Sequence, residues 1–195
     1  MENYEKYKEE IKNRLLEFKQ VKGKELFYEL CFCILTPQSK AFNADYCVKE
    51  LKKNNFLETS YDPKEVLKKK IRFHNHKTEY LIKAKEKFDG FLKEKEKLND
   101  EELREWLIKN IKGLGYKESS HYLRNIGYKN LAILDRHILK NLNKHNVISE
   151  IPRSLTKKKY LEIESKFREF AGKVKIPMDE LDLLFWAQQT GKVFK

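Results

Sequence analysis

Residues 111–117 read Ile-Lys-Gly-Leu-Gly-Tyr-Lys and contain the only two glycines of the chain that are separated by a single residue. A helical pattern over residues 100–110 precedes them, and another over residues 117–126 follows. Glycine permits tight turns and close backbone approaches. The pattern therefore predicts two helices joined by a hairpin, whose N–H groups at the start of the second helix suit a phosphate. The alternative is a purely structural turn, in which Gly113 ends one helix and Gly115 begins the next.

Helical periodicity extends along the rest of the chain. Residues 26–35, LFYELCFCIL, are apolar nearly all round, which predicts a buried central helix that ends ahead of Pro37. Strand signals are almost absent, so the predicted class is all-α. Further helices are predicted at about residues 4–18, 40–53, 62–67, 78–97, 155–172 and 178–189, with one more beginning at Asp135.

The composition points to a polyanionic partner. The 195 residues include 42 Lys and Arg against 30 Asp and Glu, so the formal net charge is +12. A basic excess of this size attracts nucleic acid or another anionic surface. With 40% hydrophobic residues and only 7 Gly and 4 Pro, the chain is not expected to be disordered. No apolar run approaches the ~18 residues that span a bilayer, which excludes membrane integration.

The N-terminal residues and the cysteines predict an intracellular protein. The first six residues, Met-Glu-Asn-Tyr-Glu-Lys, are charged and lack the basic and apolar regions of a secretory signal. The cysteines, Cys31, Cys33 and Cys47, are odd in number and are interpreted as reduced thiols of the core. The alternative is that Cys31 and Cys33 form half of a metal site. Because no second pair stands at zinc spacing, neither a metal nor an iron–sulfur cluster is expected.

Lys117 is a candidate nucleophile. It falls in the first turn of the helix after the hairpin, where the helix dipole disfavours a cation. Burial and nearby positive charge favour the uncharged form of an amine, which is the form that attacks carbon. Lys112, Arg124 and Arg136 are candidates to supply that charge. The alternative is an ordinary solvated lysine.

Asp135 is a candidate acidic partner, 18 residues after Lys117. It precedes the next helix and follows the apolar run at residues 131–134, so its carboxylate either caps the helix or faces a cleft. An amine and a carboxylate held at two helix starts suit attack at the anomeric carbon of a sugar, because the carboxylate stabilises the developing positive charge.

The hairpin with its surroundings resembles the helix-hairpin-helix DNA glycosylases, and in particular their type-2 branch of 8-oxoguanine DNA glycosylase/AP lyases. The resemblance covers nearly the whole chain. It rests on residues 111–125, Ile-Lys-Gly-Leu-Gly-Tyr-Lys-Glu-Ser-Ser-His-Tyr-Leu-Arg-Asn, on residues 133–139, Ile-Leu-Asp-Arg-His-Ile-Leu, and on residues 30–39, 151–164 and 181–195. Ile-Leu stands before Asp135 where many members of the superfamily have Gly/Pro-Val, and the four-cysteine cluster loop of some relatives is missing.

The resemblance implies a bifunctional enzyme that extrudes and excises 8-oxoguanine from double-stranded DNA and then cleaves the strand. Lys117 matches the nucleophile, which attacks C1′, expels the base and leaves a Schiff base that permits β-elimination of the 3′ phosphate. Asp135 matches the catalytic aspartate.

The resemblance also implies residues for base recognition. Phe73 and Trp186 match the aromatic faces that enclose the extruded base, with core packing as the alternative for each. Lys195 matches a residue that reaches into the base pocket, the alternative being a frayed tail. Gln38 is the candidate to fill the gap in the duplex, the alternative being a glutamine in a surface turn.

DNA-backbone binding is assigned to Gly113, Gly115 and Arg136, and His74 and His76 are predicted to line a DNA-facing loop. By the same resemblance no cofactor is required, and the hairpin carbonyls are able to hold a monovalent cation. A monomer of two lobes is expected, with the active site in the cleft between them. One lobe comprises residues 1–25 and 140–195; the other comprises residues 26–139 and contains the hairpin (103–126) and the loop of Asp135.

Two other functions are kept as alternatives. The same scaffold suits a glycosylase for another oxidised base, such as a pyrimidine. A noncatalytic protein that uses its hairpin only to bind the DNA backbone is the second.

Overall fold

The computed structural model describes residues 3–195, and this part of the chain is built from α-helices without any strand, which confirms the predicted class. The helices, in chain order, are α1 (Tyr4–Lys19), α2 (Lys24–Leu35), α3 (Ala41–Lys53), α4 (Lys64–Lys68), α5 (His74–Lys95), α6 (Asp100–Asn110), α7 (Tyr116–Asn125), α8 (Arg136–Lys144), α9 (Lys157–Val174) and α10 (Met178–Thr190). None of the described helices is long and apolar enough to cross a membrane.

The chain divides into two compact units. One comprises Val21–Tyr122, and the other joins the N-terminal segment up to Gln20 with Leu123–Lys195. The lobes predicted from the sequence divide at residues 25/26 and 139/140 instead. Residues 123–139 belong with the terminal helices because buried polar contacts join them to α9 and α10. Arg124 is paired with Asp182 of α10, and the N–H of Ala132 donates to Glu164 of α9. Asp135 therefore lies in the same unit as α9 and α10.

Helix α2 forms the centre of its unit because it is apolar on every side. Its residues from Leu26 to Leu35 are all buried. The ring of Phe27 packs against those of Phe56 and Phe88, with centroid separations of 5.9 and 5.2 Å. The helix begins after Gly23, whose φ of 56° is open to glycine at little cost.

The other unit is built around contacts of α1 and α10. The Tyr4 hydroxyl donates a hydrogen bond to the Glu180 carboxylate. Arg124, at the end of α7, is almost fully buried, with Nη1 3.3 Å from Oδ2 of Asp182 and its guanidinium 5.0 Å from the ring centroid of Phe18. An ion pair this deep is costly to break because the remaining partner would keep an uncompensated buried charge.

Helix α5 begins at His74, four residues before the predicted Thr78. His74 and His76 therefore belong to the first turn of a helix, and their prediction as loop residues is wrong. Phe73 precedes this turn in the left-handed region, with φ 58° and ψ 36°. Local propensity does not indicate this start, because a phenylalanine with positive φ needs tertiary contacts to hold it.

Candidate active site

The hairpin links α6 to α7 through a turn that only glycine fits at position 113. Gly113 has a φ of 93°, and a Cβ atom there would lie 2.5 Å from Cδ2 of Tyr80. Both the positive φ and the lack of space for a Cβ atom thus exclude any residue other than glycine at this position. The ring of Tyr80, a residue of α5, packs directly against the turn.

Gly115 is the N-cap of α7, and its N–H donates to Oε2 of Glu118 at 3.3 Å. A glutamate three residues after an N-cap commonly reaches back to the cap in this way. Glu118 therefore stabilises the start of the helix and brings a carboxylate next to the candidate nucleophile.

Lys117 occupies the second position of α7, with 27% of its side chain exposed. Its Nζ atom lies 3.3 Å from Oε1 of Glu118. The negative charge of this carboxylate offsets the unfavourable interaction between the Lys117 cation and the dipole of α7. The amine is thus held beside the hairpin by an ion pair and remains accessible to a substrate.

Two of the three cations that the sequence suggests near Lys117, Lys112 and Arg124, are bound to carboxylates. Nζ of Lys112 lies 3.1 Å from Oε1 of Glu79, which also accepts a hydrogen bond from Lys83 at 2.7 Å. The two ammonium groups lower the pKa of Glu79 to about 2. Arg124 is paired with Asp182, and both residues belong to the unit that contains the terminal helices.

A different lysine, Lys77 of α5, is buried and lies close enough to Lys117 for their charges to interact. Burial and, to a smaller degree, the charge of Lys117 lower the pKa of Lys77 to about 8. The Lys77 amine is therefore still mostly protonated at neutral pH. Nothing in the local sequence marks this residue, because one lysine among many is normally on the surface.

Gln38 and Phe73 are both exposed and both have positive φ, 56° and 58°. The turn of Gln38 follows α2, and Phe73 begins α5. Phe73 is 47% exposed, and the Arg72 guanidinium lies 4.8 Å from the centroid of its ring. Core packing, the alternative for Phe73, is therefore excluded.

Asp135 is the N-cap of α8, and one of its oxygens performs the capping. Oδ1 accepts hydrogen bonds from the N–H groups of His137 and Ile138, both at 2.8 Å. Oδ2 has no such role in the cap. The carboxylate is partly exposed, so capping and a catalytic role are compatible in the same side chain.

The segment before Asp135 is held rigidly against α9. The N–H of Ala132 donates to Oε2 of the buried Glu164 at 2.7 Å, and the Tyr160 hydroxyl donates to the carbonyl oxygen of Ala132. These bonds satisfy a backbone that forms neither helix nor sheet. They fix the position from which Asp135 begins α8.

Trp186, Arg136 and Lys195 belong to the same unit as Asp135. Trp186 lies on α10, is partly exposed, and meets the ring of His137 edge to face at 5.6 Å. Arg136 is exposed at the first position of α8. The tail turns at Gly191, with φ 75°, and the burial of Val193 holds it in place, so Lys195 is partly buried. This partial burial contradicts the alternative interpretation of Lys195 as part of a frayed tail.

Metal-ligating residues do not cluster in the described part of the chain, where no group of three or more His, Cys, Asp or Glu side chains could hold an ion. All three cysteines are buried thiols. Burial raises the pKa of Cys47 to about 11, so this thiol stays protonated at neutral pH.

Comparison with known sequences identifies the family. Residues 11–176 match a family model described as 8-oxoguanine DNA glycosylase. A Fusobacterium nucleatum protein named 8-oxoguanine DNA glycosylase/AP lyase is 47% identical over 98% of this chain and 94% of its own length. The Methanocaldococcus jannaschii protein of that name is 43% identical over 96% of this chain and 93% of its own length.

Two solved structures share the fold. The M. jannaschii 8-oxoguanine glycosylase/lyase in complex with a 15mer DNA containing 8-oxoguanine matches with a TM-score of 0.90 and 40% identity, over 100% of this chain and 96% of that one. The 8-oxoguanine DNA glycosylase of Thermotoga maritima matches with a TM-score of 0.89 and 34% identity, over 99% and 95%. Together with the glycine hairpin, these matches place the chain among the helix-hairpin-helix DNA glycosylases. Within that class, this chain belongs to the 8-oxoguanine DNA glycosylase family.

Proposed function

We propose that this chain excises 8-oxoguanine from double-stranded DNA and then cleaves the strand 3′ to the lesion. The observation that carries the proposal is the accessible amine of Lys117, which follows the glycine hairpin and is held by Glu118. The family membership and the likeness to a relative in complex with 8-oxoguanine DNA support the same substrate.

The reaction begins when the Lys117 ammonium gives up a proton, for which the Glu118 carboxylate 3.3 Å away is the nearest acceptor. The free amine then attacks C1′ of the extruded nucleotide. The bond from Nζ to C1′ forms, and the glycosidic bond breaks with its electron pair leaving on the base. The nitrogen then loses one proton, the bond from C1′ to the ring oxygen breaks, and the ring oxygen takes up a proton, which gives a protonated Schiff base. Loss of a proton from C2′ and departure of the 3′ phosphate complete the β-elimination.

Asp135 supplies negative charge during the first step. As the glycosidic bond breaks, positive charge develops on C1′ and the ring oxygen, and a fixed carboxylate stabilises it. Its hydrogen bonds to the first turn of α8 fix the orientation of the carboxylate, so little reorganisation is needed when the charge develops.

Base recognition is assigned to Phe73, Trp186 and Lys195. Two aromatic faces stack on an extruded base, each contributing about 1–3 kcal/mol. 8-Oxoguanine carries a hydrogen on N7 where guanine has an acceptor, so an acceptor in the pocket discriminates between them. Trp186 together with Lys195 favours a purine over an oxidised pyrimidine.

The remaining roles concern the DNA backbone. We assign phosphate contacts to Gly113, Gly115 and Arg136, and gap filling to Gln38. The chemistry of the lysine requires no cofactor, while the hairpin carbonyls suit a monovalent cation. The enzyme is proposed to act as a monomer inside the cell, where its DNA substrate is.

Phe73→Ala and Trp186→Ala should each slow excision of 8-oxoguanine by about 5- to 150-fold, because each removes one stacking face. Strand cleavage at a preformed abasic site should change little, since no base is bound there. Single-turnover assays on the two duplexes measure this difference. Phe42→Ala is the matched control, because Phe42 is an exposed phenylalanine of α3 without an assigned role. Equal losses on both substrates would contradict base stacking.

Borohydride trapping tests the function itself. The purified chain should form a covalent adduct with a duplex that contains one 8-oxoguanine and with an abasic duplex, and none with undamaged DNA. Trapping only on an oxidised-pyrimidine duplex and the abasic duplex would indicate a different lesion. Tight DNA binding without any adduct would indicate a noncatalytic helix-hairpin-helix protein.

A further inference from the structure

The ammonium group of Lys77 is buried and fully hydrogen-bonded, although the mechanism above does not use it. Only 5% of this residue is exposed. Nζ donates to the carbonyl oxygens of Leu35 and Pro37 at 2.7 and 2.6 Å and lies 3.2 Å from the hydroxyl oxygen of Ser39. The three donors of the ammonium thus find three acceptors, all in one short turn.

This turn contains Gln38 in a strained conformation. Non-glycine residues with positive φ are uncommon, and they persist where the surrounding structure holds them. The carbonyl before Gln38 and the hydroxyl after it are both bound by Lys77. The ammonium therefore fixes the turn on each side of the glutamine.

The same network reaches Phe73. The Ser39 hydroxyl oxygen, which Lys77 approaches, also accepts the N–H of Arg72 at 3.2 Å. Arg72 precedes Phe73, which has the second strained conformation. Lys77 itself lies four residues after Phe73 on α5. One buried group thus connects the two exposed residues that are assigned to the gap and to the base.

We propose that Lys77 is a positioning residue for nucleotide extrusion, holding Gln38 and Phe73 in the conformations that this step requires. The inference rests on the proposed function. An extruded nucleotide leaves a gap that must be filled while the base is received, and a fixed geometry lowers the entropy cost of doing both. Without the ammonium the carbonyl oxygens of Leu35 and Pro37 lose a buried donor. The turn then keeps only the bond from the Ser39 N–H to the Thr36 carbonyl and the bond from the Arg72 N–H to the Ser39 hydroxyl.

Lys77→Met tests the proposal, since methionine keeps the length of the side chain without its charge or donors. Extrusion is measured by the fluorescence of 2-aminopurine placed opposite the lesion, with Lys117→Gln present to block chemistry. Excision is measured separately with Lys117 intact. Both should fall about 10- to 100-fold, the size expected for a misplaced positioning group. The matched control is Lys87→Met, because Lys87 is an exposed lysine of the same helix.

A double-mutant cycle with Gln38→Ala separates positioning from a general structural role. Because part of the effect of Lys77 passes through Gln38, adding Lys77→Met to Gln38→Ala should cause a clearly smaller loss of extrusion than Lys77→Met causes in the wild-type chain, the remainder passing through Phe73. Lys77→Arg keeps the charge and the donors and should restore part of the loss. Ser39→Ala weakens the same network without removing a buried charge, so it provides the test should Lys77→Met fail to fold.

Extrusion at the wild-type level in folded Lys77→Met, or in Ser39→Ala where Lys77→Met does not fold, would overturn the proposal. So would losses that simply add to those of Gln38→Ala. Failure of the proposed function gives a different result, because the wild-type chain would then form no borohydride adduct with 8-oxoguanine DNA.

Discussion

Lys117→Gln should abolish the borohydride-trapped adduct and reduce strand cleavage by at least about 10³-fold. Glutamine has a similar length, but its amide nitrogen is not a nucleophile and does not form a Schiff base. The rates of excision and of β-elimination should fall together, because both steps use the same covalent link. The measurement is single-turnover cleavage of 8-oxoguanine and abasic duplexes, with trapping in parallel.

The control for this prediction is Lys87→Gln, which removes the same charge from an exposed position of α5. Both variants should lose a similar, small amount of nonspecific DNA affinity, since each removes one cation. An adduct that persists in Lys117→Gln would show that another amine is the nucleophile. Lys77, the neighbouring lysine with a lowered pKa, would then be the first to test.

Asp135→Asn should slow excision by about 10²- to 10³-fold while leaving the fold intact. Asparagine keeps an oxygen that accepts from the N–H groups of His137 and Ile138, so the cap of α8 remains. The charge that stabilises C1′ in the transition state is lost. Asp135→Ala removes the cap as well and should cost about 1 kcal/mol of folding free energy.

Thermal unfolding and single-turnover excision together separate the two roles of Asp135. The asparagine variant should unfold at nearly the wild-type temperature, whereas the alanine variant should unfold at a lower one. If Asp135→Asn excised 8-oxoguanine at the wild-type rate, the residue would act only as a helix cap. Excision and unfolding would then be affected together, and only in the alanine variant.

Patterns within one segment were sufficient to predict the helices and the hairpin. The predicted helix over residues 100–110 coincides with α6, and the predicted start of the next helix lies one residue from Tyr116. The structure shows local reasons for these boundaries: Asn99 and Glu102 form a capping box at the start of α6, and Gly113 has a φ that glycine tolerates. The start of α5 was predicted four residues too late, because Phe73 begins it in a conformation that only distant contacts hold.

The glutamate beside the nucleophile was within reach of the sequence but was not used. Gly115 followed three residues later by Glu118 fits the second half of a capping box. That spacing predicts a carboxylate at the start of α7 and hence a partner for Lys117. The prediction relied instead on Lys112 and Arg124, whose carboxylate partners lie far away in the sequence.

The all-α class, the hairpin, and the positions of Lys117 and Asp135 at helix starts can all be read from the residues alone. Each of these depends on residues within about one or two turns of one another, where backbone geometry links spacing to structure. The burial of Lys77 and its hydrogen bonds to the turn of Gln38 are visible only in the three-dimensional contacts. The three acceptors of Lys77 lie 38 to 42 residues earlier in the chain, and periodicity carries no information about contacts across that separation.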